Sequence, residues 1–465
     1  MNRQARWTLA IVSIALLMST LDNLVVTTAL PSIRVALDAS VESLDWTVNA
    51  YTLSFAVFLL AGAAMGDRFG RRRMFVIGLL LFTASSAAAA LSPSVAALIA
   101  ARAVQGAGAA ALLPLTLTLL SEAVSPDRRG LALGVWSGVS GLGVALGPLV
   151  GGLVLEGASW QWIFWINVPI GLALAPLARR KLAESHGPDR HLDLPGLASA
   201  GLGLFAIVFA IIRAQALGWS STTVIASLAA GMLLVAGFVA WELRAQEPML
   251  PMSMFRSRAF AATNVVSLAM FFGVFGSIFL LAQFFQVAQG HSPLEAGLLT
   301  LPWTLMPMFV APLAGLLSDR IGARPLMASG LTLQAGAVLW LAEASTPTAS
   351  FGEVVVPLMM GGVGMALVFA PAANAVLGAV PPELVGKASG ATNAIREVGG
   401  VLGISVLSSI FAAHGSYASP AAFVDGLSAA VPVGAAVLAA GALAALLVPR
   451  TGQAAERVEL EAATA

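Results

Sequence analysis

The chain has 465 residues, of which 58% are hydrophobic and only 10% are charged. Soluble proteins carry about 25% charged residues, so this composition excludes an ordinary soluble domain and indicates a membrane protein. The sequence has no Cys, only four His and a net charge of +1, so we expect no disulfide, no bound metal, no redox cofactor and no nucleic-acid partner.

Long apolar stretches recur along the whole chain. A helix needs roughly 17 to 25 apolar residues to cross a bilayer, and the sequence offers about fourteen such stretches. The first is too long for a signal peptide and contains Asp22, so we interpret it as a retained span. The predicted spans begin near residues 8, 46, 74, 97, 131, 161, 196, 222, 260, 294, 325, 354, 394 and 424. These stretches predict an all-α polytopic membrane protein.

Positive charges follow the alternation of these spans. Clusters such as Arg71 to Arg73 and Arg179 to Lys181 fall on alternate loops, whereas the loops between them carry mainly acids. Because Arg and Lys are enriched on the cytoplasmic side, those loops are predicted to be cytoplasmic. An even number of spans then places both termini in the cytoplasm.

An Asp-Arg-x-Gly turn occurs twice, after the second and the tenth predicted spans. One copy alone is explained equally well by charge anchoring, but two copies indicate two related halves. We predict a six-helix bundle in residues 1–183, a two-helix insertion with its linkers in 184–258, a second six-helix bundle in 259–450 and a cytoplasmic tail in 451–465. The turn residues are Asp67, Arg68, Gly70, Arg71 and Arg72 in the first copy, and Asp319, Arg320, Gly322 and Arg324 in the second.

In this turn the glycine permits a tight bend, and the following arginines are expected to remain in water or among lipid headgroups. A carboxylate held in a cationic turn suits a latch between the halves that opens and closes.

The fifth span carries a glycine pattern with a proline. Gly143, Gly147 and Gly151 recur every four residues and form a flat stripe for close helix packing, to which Gly152 adds a second glycine pair. Pro148 removes a backbone hydrogen bond, and a kink is expected there.

Two charges lie inside apolar spans, Asp22 in the first and Arg102 in the fourth. A charge at the centre of a helix costs roughly 2.5–3.5 kcal/mol on insertion scales, so we expect the two to face each other or a polar cavity. They form either a structural ion pair or a proton-coupling site in which Asp22 carries the proton and Arg102 tunes it. Glu397, near the predicted start of span thirteen, is the second candidate.

Further side chains are candidates for a broad and mostly apolar substrate pocket, although each residue type is found more often in lipid-facing or packing positions. The candidates are Asn23, Trp136, Phe271, Phe275, Gln283, Gln286, Trp303, Met306, Asn374 and Asn393.

These motifs together resemble the fourteen-span drug:proton antiporter family of the major facilitator superfamily. The Asp67 turn is similar to the superfamily's loop motif, Arg102 with Gln105 and Gly106 to its fourth-span motif, and Gly143 to Gly152 to the antiporter motif of the fifth span. The segments from Leu21 to Pro31, Trp46 to Leu53 and Trp160 to Gly171 also resemble this family. Ala63 departs from the pattern, which has glycine there.

The resemblance implies a monomeric transporter of a bacterial inner membrane with two six-helix bundles and two inserted helices. It implies export of amphiphilic drugs or natural products by alternating access, driven by the proton-motive force without a cofactor. The scarcity of membrane acids favours neutral or monocationic substrates. An uptake symporter would share the fold, and a membrane enzyme or sensor is disfavoured because no nucleophile-base pair is visible.

Overall fold

The computed structural model describes residues 3–39, 41–125, 128–187, 193–245, 248 and 250–449, so the predicted tail lies outside the described residues. Its α-helices are α1 (Arg3–Leu37), α2 (Val41–Phe69), α3 (Arg71–Ala90), α4 (Val95–Ala123), α5 (Arg129–Gly157), α6 (Trp162–Trp165), α7 (Asn167–Lys181), α8 (Leu194–Leu217), α9 (Thr222–Glu242), α10 (Arg258–Gln283), α11 (Pro293–Ile321), α12 (Ala323–Ala344), α13 (Phe351–Gly378), α14 (Val385–His414) and α15 (Pro420–Ala445).

The described residues contain thirteen helical segments long and apolar enough to cross a membrane, α6 and α7 forming one of them. Helix α5, with 29 residues, is a further long apolar helix. It is continuous through position 148, whose side chain is outside the described set. The predicted all-α polytopic membrane fold is confirmed.

Most helices begin within a few residues of the predicted span, but span thirteen does not. It was expected near residue 394, whereas α14 begins at Val385. The reason is that polar residues which suggested a loop are buried in the first turns of α14, where the Ser389 hydroxyl donates to the Pro114 carbonyl of α4 at 3.0 Å. Glu397 therefore lies in the interior of a long helix, and Asp22 is not the only carboxylate deep in a span.

The helices pack in two groups that meet along defined seams. Helices α1 to α7 form one group of contacts and α10 to α15 another, while α8 pairs with α9 and packs against α2 and α14. The two groups meet mainly where α11 lies along α5 and where α14 contacts α2 and α4. The domain boundaries stay a prediction.

Helix α5 achieves close contact on two sides because glycine occupies both. On one side, Gly143 and Gly151 face Thr20 and Thr28 of α1, and an added Cβ atom would lie 2.9 and 3.0 Å from their Cβ atoms. On the other side, Gly134 faces the Ala311–Pro312 backbone of α11. The predicted small-residue stripe is thus one of two such faces of α5.

A side chain at Gly134 should separate α5 from α11. Because an added Cβ atom would lie 2.6 Å from Pro312 Cα, Gly134→Val is expected to destabilise this packing by about 1–3 kcal/mol. Thermal unfolding of the purified protein measures the effect. Gly157 of the same helix has no atom within 4 Å of an added Cβ, so Gly157→Val is the matched control. Equal unfolding midpoints for the two variants would contradict the interpretation that Gly134 permits the close packing of α5 on α11.

Candidate functional site

A buried ion pair lies at the centre of the first helix group. Arg102 Nη1 of α4 donates to Asp22 Oδ2 of α1 at 2.6 Å, and both side chains have 0% exposure. Since such charges lose their hydration, they require compensation from neighbouring polar groups. The structure thus places the two predicted span charges in direct contact.

Two side-chain amides complete the hydrogen bonding of Asp22. Its Oδ1 accepts from Gln105 Nε2 at 2.9 Å and from Asn167 Nδ2 at 2.6 Å. Asn167 also donates to Ser86 Oγ, which in turn donates to the carbonyl of Phe164. Both carboxylate oxygens therefore have donors, supplied by α4 and α7.

The guanidinium of Arg102 is held from three further directions. Its Nη1 donates to Gln105 Oε1 at 2.7 Å, and its Nε donates to the Thr47 carbonyl of α2 at 3.2 Å. The ring of Tyr51 lies 4.4 Å from its central carbon, a cation-π distance that suits an arginine excluded from water. The Tyr51 hydroxyl shares a hydrogen bond with Ser19.

Residues of five helices, α1, α2, α3, α4 and α7, thus form one polar network around the Asp22–Arg102 pair. A change of charge at Asp22 would therefore alter hydrogen bonds to several helices at once. We call this network the Asp22 cluster, comprising Asp22, Thr47, Tyr51, Ser86, Arg102, Gln105 and Asn167. Among its members, sequence reasoning gave no site role to Thr47, Tyr51, Ser86 or Asn167. An amide at position 167 within an apolar span was the available signal.

The first Asp-Arg-x-Gly turn forms a second polar group at one end of the bundle. Gly70 has φ of 104°, the left-handed conformation for which glycine was expected. Arg71 is buried and binds Asp67 Oδ1 through Nε at 2.7 Å and also pairs with Glu122. The expectation that Arg71 remains in water is wrong, because two carboxylates compensate its burial. Arg68 and Arg72 stay partly or fully exposed.

Asp67 also lies beside the second helix group. An added Cβ atom at Gly386, in the first turn of α14, would be 2.6 Å from both of its carboxylate oxygens. A carboxylate at this position interacts favourably with the amino end of a helix. The turn therefore joins α2 to α14 across the seam, as a latch would.

The second turn repeats this arrangement on the other seam. Gly322 has φ of 84°, and the Asp319 carboxylate contacts Gly130, in the first turn of α5. Asn374 donates to Asp319 Oδ1 at 3.0 Å. Asn374 therefore contacts this turn, and its role in a substrate pocket stays a prediction. Arg320 is exposed and Arg324 half-buried.

A small cavity of about 40 Å³ lies between the two helix groups. Leu24 and Gly141 line it from α1 and α5, and Phe275, Thr304 and Met365 from α10, α11 and α13, together with Val274 and Ile278. Of the predicted pocket residues, Phe275 lines this space, Phe271 stacks on Phe275 at 5.3 Å, and Trp136 stacks on Phe369 at 5.9 Å. Phe275 thus links this cavity, through its stacking on Phe271, to a wider group of aromatic side chains.

Other predicted pocket residues lie elsewhere. Trp303 is buried against Gly361 and lines a second small cavity within α10, α11, α12 and α15, and Met306 packs against Gly362. Gln283 accepts from the Tyr417 hydroxyl at 2.6 Å, in the turn between α14 and α15. The remaining candidates line neither cavity; Gln286 is exposed, and Asn23 and Asn393 are half-buried.

Comparison with known proteins identifies the family of this chain. The model of the Major Facilitator Superfamily matches residues 12–404, and also residues 263–463. The chain belongs to the Major Facilitator Superfamily. It is therefore a membrane transporter, and the resemblance carried by its motifs is confirmed. The second match begins near the start of α10.

Two known proteins are similar to this transporter over most of its length. The tetracenomycin C resistance and export protein of Streptomyces glaucescens is 35% identical, covering 88% of this chain and 76% of that protein. The multidrug resistance protein Stp of Mycobacterium tuberculosis is 35% identical, covering 89% of this chain and 77% of that protein. The solved proton:xylose symporter XylE shares the fold with a TM-score of 0.69 at 18% identity, covering 96% of each chain.

The Asp22–Arg102 pair should show the asymmetry of a buried ion pair. Arg102→Met removes the cation and leaves the carboxylate buried, which is expected to cost about 3–5 kcal/mol of stability. Adding Asp22→Asn to that variant should recover a large part of the loss, since no uncompensated charge remains. Thermal unfolding of the single and double variants measures this coupling. Additive effects would show that the two residues do not stabilise each other.

Proposed function

We propose that this transporter is a proton-coupled antiporter which exports drugs or hydrophobic natural products from the cytoplasm by alternating access. The observation that carries the proposal is the Asp22 cluster, in which a carboxylate with 0% exposure accepts hydrogen bonds from α4 and α7, while its partner Arg102 donates to α2. Ionisable residues inside membranes are costly, and they characteristically mark ion pathways. The names of the similar proteins, which refer to resistance and export, support the direction of transport.

Protonation of Asp22 provides the coupling step in this proposal. A proton that reaches the carboxylate removes its attraction for Arg102 and one of its acceptor sites. The hydrogen bonds from Gln105 and Asn167 then lose much of their strength because they no longer reach an anion. The packing of α1 against α4 and α7 becomes less favourable, and the helices are free to rearrange around the central cavity.

The direction of the cycle follows from the energy of the proton. Moving one positive charge inward releases about 2.3 kcal/mol per 100 mV of membrane potential, so proton entry can drive a substrate outward without a cofactor. We place the protein, acting as a monomer, in a bacterial inner membrane with both termini in the cytoplasm. The two Asp-Arg turns then lie on the cytoplasmic side and hold that side closed in the present conformation.

Neutralising Asp22 should abolish the coupling while leaving substrate binding in place. In everted vesicles energised for proton uptake, Asp22→Asn is expected to reduce substrate accumulation to the level of vesicles lacking the protein. The substrate for this assay is a toxic compound against which the protein protects a pump-deficient host. Glu343→Gln is the matched control, because this carboxylate is exposed near the end of α12. Proton-driven efflux by folded Asp22→Asn protein would refute the role of Asp22.

Alternating access requires that α2 and α14 separate during each cycle. An added Cβ atom at Gly390 would lie 2.9 Å from Ala63 Cβ, so cysteines at both positions can be joined after a shift of about 1 Å toward the usual separation. The chain contains no native Cys, so no other disulfide can form within it during oxidation. Oxidised Ala63→Cys/Gly390→Cys protein should lose transport and recover it on reduction, unlike either single variant. Full transport by the cross-linked protein would exclude this movement.

A further inference from the structure

The second helix group contains a buried cation that the proposed coupling step does not use. Arg396, in α14, is 2% exposed. Its Nε and Nη2 atoms have no hydrogen-bond partner among the described residues. The ion pairs found within the described part of the chain do not include it. Arg396 thus differs from Arg102, whose charge is compensated by Asp22.

Glu397 follows directly in the sequence but does not compensate this charge. Successive residues of an α-helix project about 100° apart, so the two side chains leave α14 in different directions. No oxygen of Glu397 lies within the 4 Å of an ion pair with Arg396 among the described residues. The guanidinium therefore keeps a full charge and unused donors inside the bundle, an arrangement that is costly unless a ligand completes it.

Aromatic rings surround this guanidinium. Its central carbon lies 4.8 Å from the ring of Phe369 and 5.6 Å from the ring of Phe271. These two rings stack on each other at 5.9 Å, and Trp136 of α5 also stacks on Phe369. The cation-π contacts offset part of the cost of burial, but they leave the in-plane N–H donors available.

The same face of α14 borders the central cavity. Gly400 lies one turn after Arg396, and an added Cβ atom there would be 3.6 Å from Phe275. Phe275 lines the cavity and stacks on Phe271 at 5.3 Å. One stacked aromatic pair therefore separates the Arg396 donors from the cavity. Both rings are only half-buried, so a change of side-chain rotamer can open this passage.

We propose that Arg396 binds an anionic group of the transported compound, and that Phe271, Phe275, Phe369 and Trp136 bind its aromatic body. The planar guanidinium presents paired N–H donors that match a carboxylate or sulfonate, and the rings provide stacking surfaces. The substrate class is thus an aromatic amphiphile with one negative charge. This departs from the expectation of neutral or monocationic substrates, and it rests on the proposed export function.

The test compares two probes with the same anilinonaphthalene skeleton. 1-Anilinonaphthalene-8-sulfonate carries one negative charge, and N-phenyl-1-naphthylamine carries none. Both are offered to energised everted vesicles containing full-length wild type, Arg396→Gln, Arg396→Lys or Arg258→Gln, the last being an exposed arginine of α10. Accumulation above vesicles lacking the protein is recorded for each probe, and gel filtration verifies that each variant is folded.

The wild type is expected to accumulate the sulfonate. Arg396→Gln should lower that rate by about tenfold, the effect expected for one hydrogen bond between charged groups, and change the rate of the uncharged probe by less than about twofold. Arg396→Lys should retain most sulfonate transport, since it keeps the charge, and Arg258→Gln should match the wild type. If Arg396→Gln is not recovered folded, competition in the wild type serves instead, with the sulfonate expected to inhibit uptake of the uncharged probe.

Two results would overturn the anion site while leaving export intact. One is an equal loss of both probes in folded Arg396→Gln, which would make Arg396 a packing residue. The other is a wild type that exports any compound but neither transports the sulfonate nor is inhibited by it. Failure of the wild type to export either probe or any toxic compound tested in the pump-deficient host would instead refute the proposed function, and the anion site with it.

Discussion

The structure depends on the cost of keeping a carboxylate and a guanidinium away from water. Neither Asp22 nor Arg102 has exposed side-chain surface, so each must obtain from other helices the interactions that water would supply. The donors and acceptors come from α2, α4 and α7. The position of each of these helices is therefore tied to one pair of charges, and a change of charge at that pair is felt by all of them.

The fold was largely predictable because apolar length is a strong signal. Charges at regular intervals defined the loops, and a glycine pattern in span five identified a close-packing face. The start of α14 was not predictable in this way. Lys387 and Ser389 resemble loop residues, yet they are buried in the first turns of the helix and donate to the Pro248 and Pro114 carbonyls.

The site was predictable only in part. Charged residues are rare within apolar spans and therefore stand out in the sequence, but their hydrogen-bond partners do not. Asp22 and Arg102 stand out as charges within apolar spans, whereas Asn167 and Ser86 become notable only when α3 and α7 meet α1. Arg396 was overlooked for a related reason. With α14 expected to begin near residue 394, it appeared to lie at a helix end, where solvation explains a charge. Conversely, Gln283 and Trp303 were predicted to line a substrate pocket from their residue types and positions, but neither lines the cavity between the two helix groups.

The glycine faces of α5 have a mechanical consequence. Interlocking side chains usually hold two helices at one crossing angle, because ridges of one helix fill grooves of the other. Where α5 meets α1 and α11, glycine removes the ridges from one partner, as at Gly143, Gly151 and Gly134. Helices that meet in this way can slide or rotate past each other without first disengaging. The glycine face of α5 against α11 would thus allow the two helix groups to move relative to each other without repacking interlocked side chains at that seam.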